Sequence, residues 1–483
     1  MKTTPLYTHH RRGPHFVSAL LLGVVWTLCS GAHAMSFSQA LDAALANDAT
    51  YRAAGFEYDA ARFGVPIARA QLLPAVSLTA SEGSVTGSRR FPNGQNQEVR
   101  VPLDYNTPQA SLNLRMPLFN FEALSNLRQA RAQTEVAEAV FRTQGMDLVE
   151  RLASAYMQTL LAEDVRRLAE AQVKGYEIQA GQTERRLLRG EGTRVQVAQA
   201  QATLDVARTR LLETLDQVEN ARLRLERLTG VFRASVDVLA PAHVTTPLFP
   251  DRLGDWLEMA VRQSSTLQAR ERNREVAKQA TRRQQAGHLP RLDLVASVSR
   301  NENDSTNNIG QSSALRSVGV QLSVPLFNGG GVRAGVQRAL VQQAVVEEEV
   351  RTEREAIEVD VQRHFMAVLN GEKKVMAYAR AVDSTGLAVQ GARRALETGL
   401  GTNSELAEAQ SVFSAATRDL AQARIDTLLS RARLMMRAGM PMQEVAQEID
   451  RVLVAAPAPA PGTAPTAAPL AAAPSAASPS PKP

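Results

Sequence analysis

Cysteine is almost absent: Cys29 is the only one in 483 residues. It falls in an N-terminal leader made of Arg11 and Arg12, an apolar stretch over 16–28 and Ala32-His33-Ala34, an A-x-A cleavage signature of a secretory signal peptide. Leu28 stands where a lipid-anchor motif needs a small residue, so Cys29 reads as leader and not as an anchor. The mature chain, starting near Met35, then has no thiol. Disulfides and thiolate metal sites are excluded, and packing alone must hold the protein together. Histidine is thin too. His9, His10, His15 and His33 lie in the leader, and His243, His288 and His364 are scattered without the spacing of a zinc site. No Ser or Cys has a nucleophile setting. Gly329-Gly330-Gly331 with Gly335 lacks both dinucleotide spacing and a Walker Lys-Ser/Thr, and reads as a strand-to-helix turn. Neither an enzyme nor a bound cofactor or metal is expected.

Long apolar runs are missing as well. Beyond the leader nothing approaches the roughly 18 apolar residues of a transmembrane helix, so any membrane-spanning part must be a β-barrel. Net charge is +6, with acids and bases interspersed. This suits solvated helix faces, and no nucleic-acid partner is expected.

What is present is a pattern that occurs twice. Leu73-Pro74 heads alternating residues that end at Met116-Pro117-Leu118-Phe119, and Leu289-Pro290 heads a second series that ends at Val324-Pro325-Leu326-Phe327. Pro117 and Pro325 are 208 residues apart; Gly192 and Gly401 are 209 apart, as are Gly230 and Gly439. The Leu-Pro pairs are 216 apart, so the first copy carries a loop eight residues longer. A period this long marks a duplicated fold unit rather than a solenoid.

Each copy predicts a helix (38–72 and 253–288), then two strands. Val76, Leu78 and Ala80 alternate with Ser77, Thr79 and Ser81; Ala110, Leu112, Leu114 and Met116 alternate with Ser111, Asn113 and Arg115. In the second copy Leu292, Leu294, Ala296 and Val298, then Val318, Val320, Leu322 and Val324, form the apolar faces. Four strands of about nine residues match tilted transmembrane strands with lipid outside and water inside. A soluble antiparallel sheet on a core has the same alternation and stays open at this point. Residues 82–107 and 301–315 read as long polar loops, and four strands cannot close a barrel without partner chains.

After each Pro-Leu-Phe the composition predicts one very long helix, 121–188 and 332–397. At about 1.5 Å per residue these reach roughly 90 to 100 Å and must lie against one another. A soluble coiled-coil rod is the plainer alternative. Gly190 with Gly192, and Gly399 with Gly401, mark helical hairpin tips. Thr193 with Gln196, and Thr402 with Glu405, have capping-box spacing at the start of the return helices 193–228 and 402–437. Glu405 and Glu408 share a helix face there, with Gln196 and Gln199 as their mates in the first copy. The two acids favour a helix N-terminus in any case. Three copies converging on an axis would make them a cation-favouring ring.

Gly287-His288-Leu289-Pro290-Arg291-Leu292-Asp293-Leu294, the paired Pro-Leu-Phe elements, the Gly-Thr tips and Leu228-Thr229-Gly230 resemble the TolC family of trimeric outer-membrane ducts, from Phe37 to Ala438. The resemblance implies an α+β membrane protein with an internal two-fold repeat: a trimer whose 12-stranded β-barrel continues into a long α-helical periplasmic barrel. It implies a pore constriction at Glu405, Glu408, Gln196 and Gln199. Where the family locks its tip with tyrosine, arginine and acidic partners, this chain has Leu396, Gly401 and Gln196.

The expected organisation is a signal peptide (1–34), a first repeat (35–230), an equatorial linker (231–252), a second repeat (253–440), a C-terminal extension (441–456) and a disordered Ala/Pro-rich tail (457–483) that holds nine of the 23 prolines. The function implied is an outer-membrane exit duct for type I secretion. It would pass an unfolded protein, of the repeat-in-toxin haemolysin type, from an inner-membrane ABC transporter and a periplasmic adaptor (membrane fusion protein) to the exterior, in contact with outer-membrane lipid. Tripartite drug or metal efflux is the alternative within the fold, and a soluble periplasmic coiled-coil protein the alternative of another class.

Overall fold

The computed structural model describes residues 35–92, 94–232, 235–239, 248–305 and 308–454. The expected leader and tail, and His243, lie outside the described residues.

Three helices open the described chain, α1 (Phe37–Asn47), α2 (Ala49–Arg62) and α3 (Gly64–Ala70), where the sequence predicts one. The break has a chemical cause. Asp48 leaves helical backbone at the end of α1 and caps α2, its carboxylate accepting from the Tyr51 amide at 2.8 Å and from Arg151 at 3.0 and 3.1 Å. The Arg151 guanidinium holds the Asp48 carboxyl below the usual range.

Strands β1 (Ala75–Ser81), β2 (Ser84–Pro92), β3 (Glu98–Asn106) and β4 (Gln109–Phe119) follow, then the 68-residue α4 (Phe121–Leu188) and the return helix α5 (Arg194–Thr229). After the short β5 (Val238–Leu239) a similar order runs through α6 (Leu253–Gln263), α7 (Ser265–Ala286), β6 (Arg291–Ser305), β7 (Asn308–Ser323), the 67-residue α8 (Gly331–Glu397) and α9 (Asn403–Arg437). Between α6 and α7, Ser264 repeats the part of Asp48, ending one helix and accepting from Leu267 N to start the next. Helix α10 (Met442–Asp450) and β8 (Leu453–Val454) close the described chain.

The main sheet has the order β1-β4-β6-β7, antiparallel throughout, leaving β1 and β7 as its edges. Its register stacks the apolar residues into rows on one face: Val76, Leu114, Ala296 and Val318 in one, Leu78, Leu112 and Val298 in the next, Met116, Leu294 and Val320 in a third. Nothing among the described residues covers this face; Leu78 is 73% exposed and Val318 79%. The opposite face carries Ser77, Asn113, Ser297 and Ser317, with Ser297 and Ser317 hydrogen-bonded at 2.8 Å. Arg115, at 2.6 Å, and Arg291, at 3.3 Å, both reach the buried Asp293. The Arg-Leu-Asp of the sequence motif thus fastens the helix-proximal end of the sheet on its polar face.

The expected loops prove to be largely strand. Strands β2 and β3 form a separate hairpin, with Val99, Val101, Leu103 and Tyr105 half-buried on one side, and β6 and β7, 15 and 16 residues long, both extend into the segment read as loop. Polar side chains hid this, because a ladder that has left the apolar zone keeps its backbone pairing and loses its hydrophobic signal.

The helices pack by length, α4 along α5 and α7, and α8 along α9 and α7. Small residues such as Ala130, Ala139, Ala153 and Ala169 line the buried side of α4, letting thin helices approach closely. The main core gathers at mid-length around Trp256, Tyr156, Phe37, Leu148 and Leu152. The segment read as a C-terminal extension belongs to this core. Val445, Ile449 and Val452 are buried, β8 pairs with β5, and Asp450 accepts from the amides of Phe37 at 2.7 Å and Ser38 at 3.1 Å, capping α1 from the far end of the chain. Tyr156 donates to the Met35 carbonyl at 2.8 Å and accepts from the Asp237 amide at 3.0 Å, and burial raises its phenol pKa.

Candidate pore constriction

The site is built at the two hairpin tips. Helix α4 closes on Gly190 and α8 on Gly399, with φ of 76° and 78° in the left-handed region that glycine tolerates best. Gly192 and Gly401 do a different job. The turn folds back so tightly that a Cβ on Gly401 would lie 2.9 Å from the Ala395 side chain. Both capping boxes are formed: Gln196 Oε1 accepts from the Thr193 amide at 2.9 Å, and the Glu405 carboxylate accepts from the Thr402 amide at 3.1 Å. Glu405 and Gln196 therefore serve the helix starts directly.

Glu408 and Gln199, one turn on, are exposed like Glu405 and Gln196. The structure puts Glu405 and Glu408 on one helix face, but no hydrogen bond among the described residues joins either to Gln196 or Gln199. Leu396 is half-buried beside its own tip turn, and Gly401 donates to the Ala395 carbonyl.

A polar junction that sequence reasoning missed ties the second tip to the first hairpin. Gln179 on α4 donates to the Asn403 carbonyl at 3.4 Å, and the Asn403 side chain donates to Thr183 Oγ1 at 3.5 Å. Leu406 is buried, and Ala407 packs on the cluster of Val173, Tyr176, Leu204 and Ala207. Gln179 Oε1 is buried without a partner among the described residues. Gln179 and Thr183 carry only i,i+4 spacing within an otherwise small and apolar face, and that spacing does not name a partner 220 residues away.

Among the described residues no cluster of His, Cys, Asp and Glu could hold a metal, and no helix is long and apolar enough to cross a membrane. His364 is buried, and desolvation together with Arg363, Arg433 and Arg437, against Asp360, pushes its pKa down. A neutral imidazole in the helical core is its ordinary state.

Residues 40–231 and 256–439 match the family profile described as outer membrane efflux protein. The chain belongs to that family. Its two matched stretches lie on either side of β5. The proteases secretion protein PrtF of Dickeya chrysanthemi is 30% identical over 450 residues, 91% of this chain and 96% of the relative. The alkaline protease secretion protein AprF of Pseudomonas aeruginosa is 31% identical over 417 residues, 86% of this chain and 85% of the relative. Among solved structures, the outer-membrane channel OprN superposes with a TM-score of 0.71 at 20% identity, covering 84% of this chain and 90% of that one. The fold is that of the TolC-like outer-membrane channels, mostly helical, and the family consists of channel and transport proteins. Its members lie in the outer membrane and extend into the periplasm, and so does this chain.

Proposed function

We propose that the protein is the outer-membrane exit duct of a type I secretion system, working as a homotrimer. Three four-stranded sheets close a 12-stranded barrel, each β7 edge pairing with the β1 edge of the next protomer. The observation that carries this is the main sheet itself: an uncovered apolar face and two unpaired edges, at one end of helices of about 100 Å. Lipid covers the apolar face, and the Ser, Asn, Arg and Asp face lines water. The helices carry the duct across the periplasm to an adaptor and an inner-membrane ABC transporter. The two halves, 35–230 and 253–440, are copies of one unit, a reading supported by the paired helix breaks at Asp48 and Ser264 and the paired capping boxes.

Secretion is preferred over efflux because both relatives above are named for it and each aligns over most of this chain. Their names also make a protease, alongside a haemolysin, a cargo to test first. Tripartite efflux is the second reading and rests on the family's description. Deleting the gene is expected to remove one specific protein from the medium while drug tolerance changes little; intact secretion with drug hypersensitivity would establish efflux instead. A monomer in the soluble periplasmic fraction would sink the barrel and leave the coiled-coil alternative.

In the trimer, Glu408, with Glu405 assisting, sets ion preference at the periplasmic mouth, where three-fold symmetry brings six carboxylates near one axis. Gln196 and Gln199 form the neutral part of the same constriction. The double variant Glu405→Gln, Glu408→Gln is expected to lose most of its cation preference in single-channel recordings while remaining a trimer, since glutamine still serves the capping box. Unchanged selectivity in a well-formed trimer would leave both acids as helix-start residues.

A further inference from the structure

Helices α3 and α4 adjoin β1 and β4 at one end of the sheet, so rows can be counted outward from that end. On the apolar face β7 runs Leu322, Val320, Val318, Arg316, Ala314, and β6 runs Leu292, Leu294, Ala296, Val298, Arg300, Glu302. Two arginines thus end the apolar ladder on the face that otherwise meets lipid. Arg316 pairs with Val298, and Arg300 sits between Ala110 and Ala314, which makes the arginines diagonal neighbours. The eight residue steps from Val324 to Arg316 span about 27 Å of extended chain, or about 20 Å of depth at a ~40° tilt, close to the roughly 25 Å height of an outer-membrane apolar band. The cations therefore fall at its outer edge.

The small Ala80 and Ala110 in the Arg300 row border an open recess of about 470 Å³, lined also by Ser81, Glu82, Pro108, Gln109, Arg300 and Glu302, so that its polar groups suit sugar hydroxyls while the phosphate stays with the arginines. Arg300 is 71% exposed and gives one nitrogen to Glu302 at 3.0 Å, leaving other donors free. Arg316 is exposed and has no carboxylate partner among the described residues. Exposed Leu78, Leu112 and Val298 adjoin the recess on its helix side.

We propose that Arg300 and Arg316 bind the phosphate of an outer-leaflet glycolipid, whose sugar occupies the recess and whose acyl chains lie along Leu78, Leu112 and Val298. Guanidinium groups match phosphate oxygens bidentately. A lipid, rather than a free anion, is the occupant because the adjoining surface is apolar. The site lies beside the edge strand β7, where one protomer meets the next. It rests on the barrel reading, since only then does this face meet lipid.

The test uses the purified full-length protein in detergent, exchanged against diphosphorylated lipid A or its dephosphorylated form, with retained lipid read by native mass spectrometry. The wild type is expected to keep the phosphorylated lipid about tenfold or more in preference, with two cations contributing. Arg300→Gln with Arg316→Gln is expected to bring the two lipids to parity. Equal retention by the wild type, a comparison that needs no variant, would overturn the site, as would displacement by millimolar inorganic phosphate or undiminished preference in the variant. Failure to recover a heat-modifiable oligomer overturns the barrel as well; an oligomer without lipid preference overturns only the site.

Discussion

Replacing Val320 with arginine is expected to abolish the proposed outer-membrane trimer, whereas arginine at Gln321, one residue along, leaves it in place. Val320 is 60% exposed at the middle of the apolar ladder, between Leu322 and Val318 on β7 and opposite Leu294 on β6. At mid-depth an arginine on the lipid side costs about 2–4 kcal/mol per chain, and a trimer carries three. Gln321 points the other way, onto the polar face opposite Asp293, where a guanidinium stays out of the apolar ladder. Unheated detergent gels of the membrane fraction read both variants directly. If both trimerise equally, the exposed apolar face is not a lipid face.

The second large effect is expected at Gly439. Its φ is 82°, and a Cβ there would lie 2.5 Å from the backbone carbonyl of Gln263. Gly439→Ala then combines the left-handed strain of about 1–2 kcal/mol with a backbone overlap that side-chain rotation cannot relieve, for a total of about 3 kcal/mol or more. Gln263 cannot retreat freely, because Ser264 beside it ends α6 and caps α7. Gly190→Ala is the control. Its φ is 76°, but nothing lies within 4 Å of the added carbon, so only the strain of about 1–2 kcal/mol remains. Denaturant unfolding of the two variants beside the wild type checks the order; equal losses would show that the Gln263 contact relaxes at little cost.

Much of the candidate site was legible beforehand because its signals are local. Thr193 with Gln196 and Thr402 with Glu405 form the capping boxes their spacing predicts, and the long helices end within a residue of the expected positions. Where reading failed, a local signal pointed elsewhere. Asp48 broke a helix whose apolar period continued through it, since capping chemistry outweighed periodicity. The β2–β3 hairpin passed as loop because Ser84, Arg89, Arg90 and Glu98 dilute the alternation that Val99, Val101 and Leu103 carry.

The sequence by itself determined the long helices and their order, the turns at Gly190 and Gly399, and the two-faced character of the four strands of the main sheet, because each depends on residues within a few positions of one another. Only the tertiary structure decided how the four strands register into uncovered apolar rows, that Asp450 caps α1 across 413 residues, that Asn403 is held by Gln179 and Thr183, and that Arg300 and Arg316 become neighbours. Those contacts join residues that no period or spacing connects. They exist because burying apolar surface and pairing backbone groups must be satisfied across the whole chain at once.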